Sequence, residues 1–240
     1  TPLQVRYPQG VRDALGIMSE QLSLSVSDLT RILVEDALSE MFLPADNIVR
    51  RLLSRMEHIM QAHDISATTM AALLAPWNIR PAVFREPDRL TDYLTGEILA
   101  ALADWFYLSP EWLNGRVHYP LYRPGDWPAT QEIFCRIISA RENMDIILWH
   151  GFPFAGTHSG EYCGVLLRQK KEINNTIIYP VLSLYPVRMD IEKEGWFQMA
   201  RKISPDIPVR AVTLTPAQAE YLITGKILPT ALFRVPLSPW

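Results

Sequence analysis

TPLQVRYPQGVRDALGIMSEQLSLSVSDLTRILVEDALSEMF, residues 1–42, sets one short strand and two helices in a row. Over residues 1–7 the apolar Leu3, Val5 and Tyr7 fall on one side of an extended chain, with Pro2, Gln4 and Arg6 on the other. That is the two-residue period of a half-buried strand. Pro8 stops it, and from residue 9 to 22 Val11, Ala14, Leu15, Met18 and Leu22 recur at the three- and four-residue intervals of an amphipathic helix. A second helix follows almost at once. Ser25 is a suitable N-cap, Asp28 sits where a carboxylate reaches back to the cap, and Leu29, Ile32, Leu33, Ala37, Leu38 and Met41 form its apolar stripe.

A lone strand leaves its backbone N–H and C=O groups unpaired, which is costly when buried and adhesive when exposed. The first 42 residues contain no second strand to pair with it, so a second copy of the chain is the economical partner. The result would be a two-stranded antiparallel ribbon over four helices. The segment QVRYPQGVRDALGIMSEQLSLSVSDLTRILVEDALSEMF resembles the ribbon-helix-helix family, the Arc and MetJ class of transcription factors, in strand length, in the proline after an aromatic and in the Ser-x-Ser-acidic-Leu opening of the second helix. The resemblance implies that the outward side chains of the ribbon, Gln4 and Arg6 with Pro2 in the third place, lie in the major groove. Gln pairs bidentately with adenine and Arg with guanine. It also implies that Ser25, Val26 and Ser27 offer free amides of the first helical turn to a backbone phosphate. The chain departs from the family at Ser23, where a glycine usually ends the first helix.

Charge does not advertise nucleic-acid binding. The 240 residues carry a formal net charge of −3, and residues 1–42 hold three arginines against six acidic residues. A general nucleic-acid coat is disfavoured, while a site-specific binder with few local contacts remains allowed. With 48% hydrophobic and 20% charged residues the chain is expected to fold over most of its length. Cys135 and Cys163 cannot build a disulfide framework, which fits a reducing cytoplasm. No apolar run approaches the ~18 residues of a membrane span. The chain opens with Thr rather than Met, which allows a processed or trimmed start, and nothing near it looks like a signal peptide.

Residues 43–116 read as helical. The expected helices cover 47–63, 67–75, 80–89, 90–94 and 97–105, closing with LADWFYLSPEWLNG. Over residues 50–115 the segment resembles a lambda-repressor-like helix-turn-helix domain, which implies that Trp105, Leu108, Trp112 and Leu113 of that closing run are core. The recognition helix would then be residues 80–86, with Pro81 near its start and Pro87 cutting it short. Arg50, Arg80 and Arg85 are the DNA-contact candidates, with Arg51 and Arg55 clustered near the first of them. The plain alternative is a bundle bracing the dimer with its arginines solvated.

Residues 117–240 read as an α+β domain with an antiparallel sheet. HYPLYRPGDWP looks like a linker packed along a surface. A helix is expected at 129–141, a strand at 145–149, a hairpin from 161 to 185 turning at Asn174-Asn175, a helix at 191–203, a strand at 209–215 and a helix from 216 capped by Thr215. His150, His158, Glu161 and Cys163 lie close in sequence, but their spacing matches no standard metal site. Motifs for phosphate loops, zinc proteases and serine hydrolases are missing from the sequence, so neither an enzyme nor a cofactor is expected.

The expected architecture is therefore α+β, mostly α in its first half, with divisions at 1–42, 43–116 and 117–240. The function it favours is a homodimeric, sequence-specific regulator of double-stranded DNA from a bacterium, phage or mobile element. Its C-terminal part would take a small ligand or a protein partner, by analogy with other regulators. The alternative is an antitoxin-like protein whose C-terminal half binds a protein; antitoxins usually end in a short disordered tail, and this chain has a long one with the pattern of a fold.

Overall fold

The computed structural model describes residues 5–22, 25–27, 29–31, 33–34, 46–139, 145–153, 160–203, 209–234 and 236–240. The chain divides into two compact units, Thr1–Arg50 and Arg51–Trp240.

In the first unit, helix α1 spans Gln9–Leu22. It begins where Pro8, which cannot donate, supplies a carbonyl to the amides of Val11 (3.1 Å) and Arg12 (3.2 Å). The Arg12 guanidinium donates back to the Tyr7 carbonyl at 3.1 Å, and the Gln9 side-chain Nε2 donates to the Asp13 carboxylate at 2.9 Å. A second helix, α2, is helical at residues 26–27, 29–31 and 33–34. The Leu29 amide donates to the Ser25 carbonyl at 2.9 Å, which fixes Ser25 at the helix entrance. Leu15 of α1 and Leu29 of α2 are buried. The expected strand at 1–7 falls partly outside the described residues, and residues 5–7 lead into α1 with no strand pairing among the described residues.

Helix α3, Asp46–His63, begins in the first unit and supplies Met56 and Ile59 to the core of the second. The second unit continues with α4 (Ala67–Leu73), capped by the Ser66 hydroxyl, which accepts from the Thr69 amide. One 3₁₀ turn follows at Ala75–Trp77 and another at Pro81–Arg85, then come α5 (Pro87–Tyr93), α6 (Gly96–Phe106) and α7 (Pro110–Leu113). The continuous helix expected at 80–89 is thus a five-residue 3₁₀ turn and a separate α-helix. Pro81 and Pro87 each take the first helical position, where φ is preset and no N–H is missed, so a proline expected to end a helix starts the next one.

After α8 (Gln131–Ser139) come β1 (Asp145–Gly151), β2 (Tyr162–Arg168), β3 (Lys171–Ile173), β4 (Thr176–Ile178), β5 (Val181–Ser183), β6 (Val187–Arg188), α9 (Ile191–Ile203), β7 (Val209–Thr213), α10 (Pro216–Ile223) and β8 (Ser238–Pro239). The main sheet runs β5-β2-β1-β7-β8, with β6 pairing β2. It is mixed rather than antiparallel, because β1 and β7 are parallel. The connection between them contains α9, the crossover a parallel pair needs. The long hairpin is present, with β2 pairing β5 and its tip paired as β3 and β4. Asn174 and Asn175 both have positive φ (48° and 60°), as a two-residue turn requires. The Asn174 side chain also donates to the Leu73 carbonyl at 2.7 Å, so the hairpin tip closes the end of α4.

Strand β1 is covered on both faces, which explains its unbroken apolar run IILW. Ile147 and Trp149 join a core shared with α3, α4, α6 and α10, whereas Ile146 and Leu148 join Phe134 of α8 and Phe197 of α9. Trp149 is paired across the ladder with Gly164. A Cβ at residue 164 would lie 2.6 Å from the indole, so only glycine leaves room for the ring. The supposed surface linker is structural: Leu121 and Tyr122 are buried, and the Tyr122 hydroxyl donates to the Leu222 carbonyl of α10. Burial holds that phenol's pKa up at about 12, so it remains a donor.

Candidate nucleic-acid interface

The sequence singled out nine residues for DNA contact, and they fall in both units. Pro2 and Gln4 lie outside the described residues. Arg6 is exposed, two residues before Pro8. Its neighbour Tyr7 is fixed through its carbonyl to Arg12, so the chain just beyond the candidate reader is anchored to the first turn of α1. Ser25, Val26 and Ser27 are exposed and open α2. The Thr30 hydroxyl donates to the Val26 carbonyl at 2.7 Å, a bond internal to the helix.

Arg50 belongs to α3 within the first unit. Arg80 and Arg85 belong to the second, at either end of the Pro81–Arg85 turn. Arg80 is exposed and extended at the turn's N-cap, with ψ of 154°. A five-residue 3₁₀ turn presents fewer than two helical revolutions, so the surface available for reading base edges there is small. Arg55, which the sequence grouped with Arg50 and Arg51, is buried rather than solvated. Its guanidinium lies 5.4 Å from the centre of the Trp112 ring and donates to the Val117 carbonyl at 3.4 Å. It serves the core of the second unit by covering an indole, and no charge pattern in the sequence distinguishes it from Arg51.

A second polar cluster forms where the sequence saw only loosely spaced residues. His150, one residue before the end of β1, has its Nδ1 hydrogen-bonded to the Glu161 carboxylate and its Nε2 2.8 Å from the Thr213 hydroxyl. The Trp240 ring covers the imidazole at 4.5 Å between centroids. Both ring nitrogens are therefore engaged by the protein, which is how a partly buried histidine is satisfied. His158 lies outside the described residues. Burial, and then the Asp190 carboxylate, push the Cys163 thiol up to about 12, so it stays protonated and is a poor metal ligand. Among the described residues no group of three or more His, Cys, Asp or Glu side chains is placed to hold a metal ion. None of their helices is long and apolar enough to cross a membrane.

No known protein family, curated protein sequence or solved structure matches the chain.

Proposed function

We propose that the chain is a homodimeric, sequence-specific DNA-binding regulator of the ribbon-helix-helix kind, with Gln4 and Arg6 reading base edges and the entrance of α2 holding a phosphate. One observation carries most of this reading. The first unit leaves Val5 54% exposed, Val26 45% and Val34 48%, with Val11 and Leu33 also open. Scattered exposed apolar residues are ordinary. Five of them on one short extended segment and two helices are what a subunit presents when its core is completed by a second copy. A strand from the partner chain would also satisfy the backbone of residues 5–7. The second unit, residues 51–240, supplies input or oligomer geometry in this reading.

The test is selection of bound duplexes from a random pool with the full chain, followed by footprinting on the recovered sequence. The reading expects a two-fold symmetric site, protected in the major groove, and loss of sequence preference with Arg6→Ala. Recovery of no preferred sequence, or protection by a single unpaired chain, would remove it.

A further inference from the structure

A cavity of about 270 Å³ opens between the ends of two helices of the second unit. His58, Gln61 and Ala62 come from the last two turns of α3, and Lys226, Ile227 and Leu228 from the chain just after α10. Both helix ends have the same construction. Asp64 takes a left-handed conformation (φ 56°), and the Ile65 amide returns to the Met60 carbonyl at 2.8 Å. Gly225 does likewise (φ 68°), and the Lys226 amide returns to the Tyr221 carbonyl at 2.7 Å. This closure turns the chain sharply and places Lys226, an exposed residue, at the rim of the cavity.

Helix C-termini ordinarily favour cations, so the charge balance here needs care. Several of the last carbonyls are already occupied, those of Met60 and Gln61 in α3 and of Glu220, Tyr221 and Leu222 in α10. The Gln61 carbonyl accepts from the Arg234 guanidinium at 2.6 Å and from the Asp64 amide, while that of Leu222 accepts from the Tyr122 hydroxyl and the Gly225 amide. The Lys226 ammonium donates to no carbonyl among the described residues. Its nearest described partner is the Tyr119 ring, 6.0 Å from Nζ, and it forms no ion pair among the described residues. Burial holds the His58 pKa below its ordinary value, so this imidazole sits in the wall as a neutral group. Its ring approaches that of Trp112 edge-on at 6.2 Å, and it also lies close enough to His63 to affect its charge. No acidic side chain lines the cavity. The wall therefore combines one cation, two neutral hydrogen-bonding groups not used by the described protein, and an apolar floor.

We infer that this cavity binds a small monocarboxylate with an apolar body, its carboxylate on Lys226 with the His58 and Gln61 side chains as flanking donors, and its body against Ile227 and Leu228. Size narrows the class further, since drug-sized ligands occupy roughly 300–1,000 Å³ and this space falls just below that range. The inference does not depend on DNA binding and is tested without DNA.

Benzoate is titrated calorimetrically into the full chain at pH 7, with benzamide as its neutral counterpart. Saturable one-to-one binding of benzoate is expected, at least tenfold tighter than benzamide. Lys226→Met should weaken benzoate at least tenfold and leave benzamide unchanged, while Ala62→Leu should weaken both by filling the space. Tryptophan fluorescence during thermal unfolding shows whether each variant keeps its fold. Absence of saturable benzoate binding overturns the inference, as do equal affinities for benzoate and benzamide, or unchanged benzoate affinity in a folded Lys226→Met protein.

Discussion

Lowering the pH from 7 to 5 should destabilise the second unit through one residue, His63. The last residue of α3, it packs its ring 4.6 Å from that of Phe106, and neither ring nitrogen finds a hydrogen-bond partner. Burial, the nearby Arg234 guanidinium and His58 together lower its pKa from the usual 6.5 to about 3. The folded state therefore holds the imidazole neutral while the unfolded chain titrates normally. Above the unfolded value of 6.5 the residue imposes no proton-linked penalty. As pH falls below 6.5 the unfolded state takes up a proton that the folded state refuses, and stability drops by about 1.4 kcal/mol per pH unit until the folded group itself titrates near 3. At pH 5 the loss is about 2 kcal/mol, or roughly 4–8 °C in melting temperature for a unit of this size. All seven tryptophans lie beyond residue 76, so their fluorescence reports the second unit specifically. His58, whose pKa is also lowered, adds a loss in the same direction, so the informative quantity is the difference between the wild type and His63→Phe. The variant should lose about 2 kcal/mol less between pH 7 and pH 5. The same pH dependence in both proteins would refute the assignment of a neutral, unpaired imidazole to this site.

Gln4→Ala and Arg6→Ala should each cost about 1–3 kcal/mol in specific DNA binding and relax preference at the base they read, with unfolding curves unchanged; unaltered site affinity in both would exclude the ribbon as reader. Neutralising Arg80 or Arg85 should shallow the dependence of log K on log salt by about one unit if the residue meets a phosphate; an unchanged slope assigns the Pro81–Arg85 turn to the scaffold. Gly164→Ala should destabilise the second unit by about 3 kcal/mol, at the upper end of what overpacking costs, because the added carbon would lie 2.6 Å from the fully buried Trp149 indole; a melting temperature within 1 °C of wild type would contradict the packing described.

Local signals in the sequence were reliable where the cause was itself local. The spans of α1 and α9, the Asn174-Asn175 turn and the Thr215 capping box follow from residues within a few positions of one another. What the sequence hid depends on distant partners. Parallel pairing of β1 with β7 joins Ile146 to Val209, and nothing near either residue announces the other. The His150 cluster draws Glu161, Thr213 and Trp240 from three separate segments. Arg55 reads as surface charge until Trp112, folded back from α7, covers it. Leu121 and Tyr122 sit among prolines that suggest an exposed linker, yet the Leu121 amide pairs with the Gly225 carbonyl at the end of α10. Among the candidate DNA residues, the grouping of Ser25, Val26 and Ser27 at a helix entrance was legible, because an N-cap is a short-range device.

Everything proposed for DNA recognition depends on two chains completing one ribbon, so molar mass in solution is the most direct test. Light scattering on the full chain at micromolar concentration should give twice the 27.4 kDa of one chain. Val5→Lys should reduce that value towards one chain and abolish site binding, because a charge would replace an apolar side chain on the shared face. A wild-type mass of a single chain across the concentration range that saturates the DNA site would contradict the account.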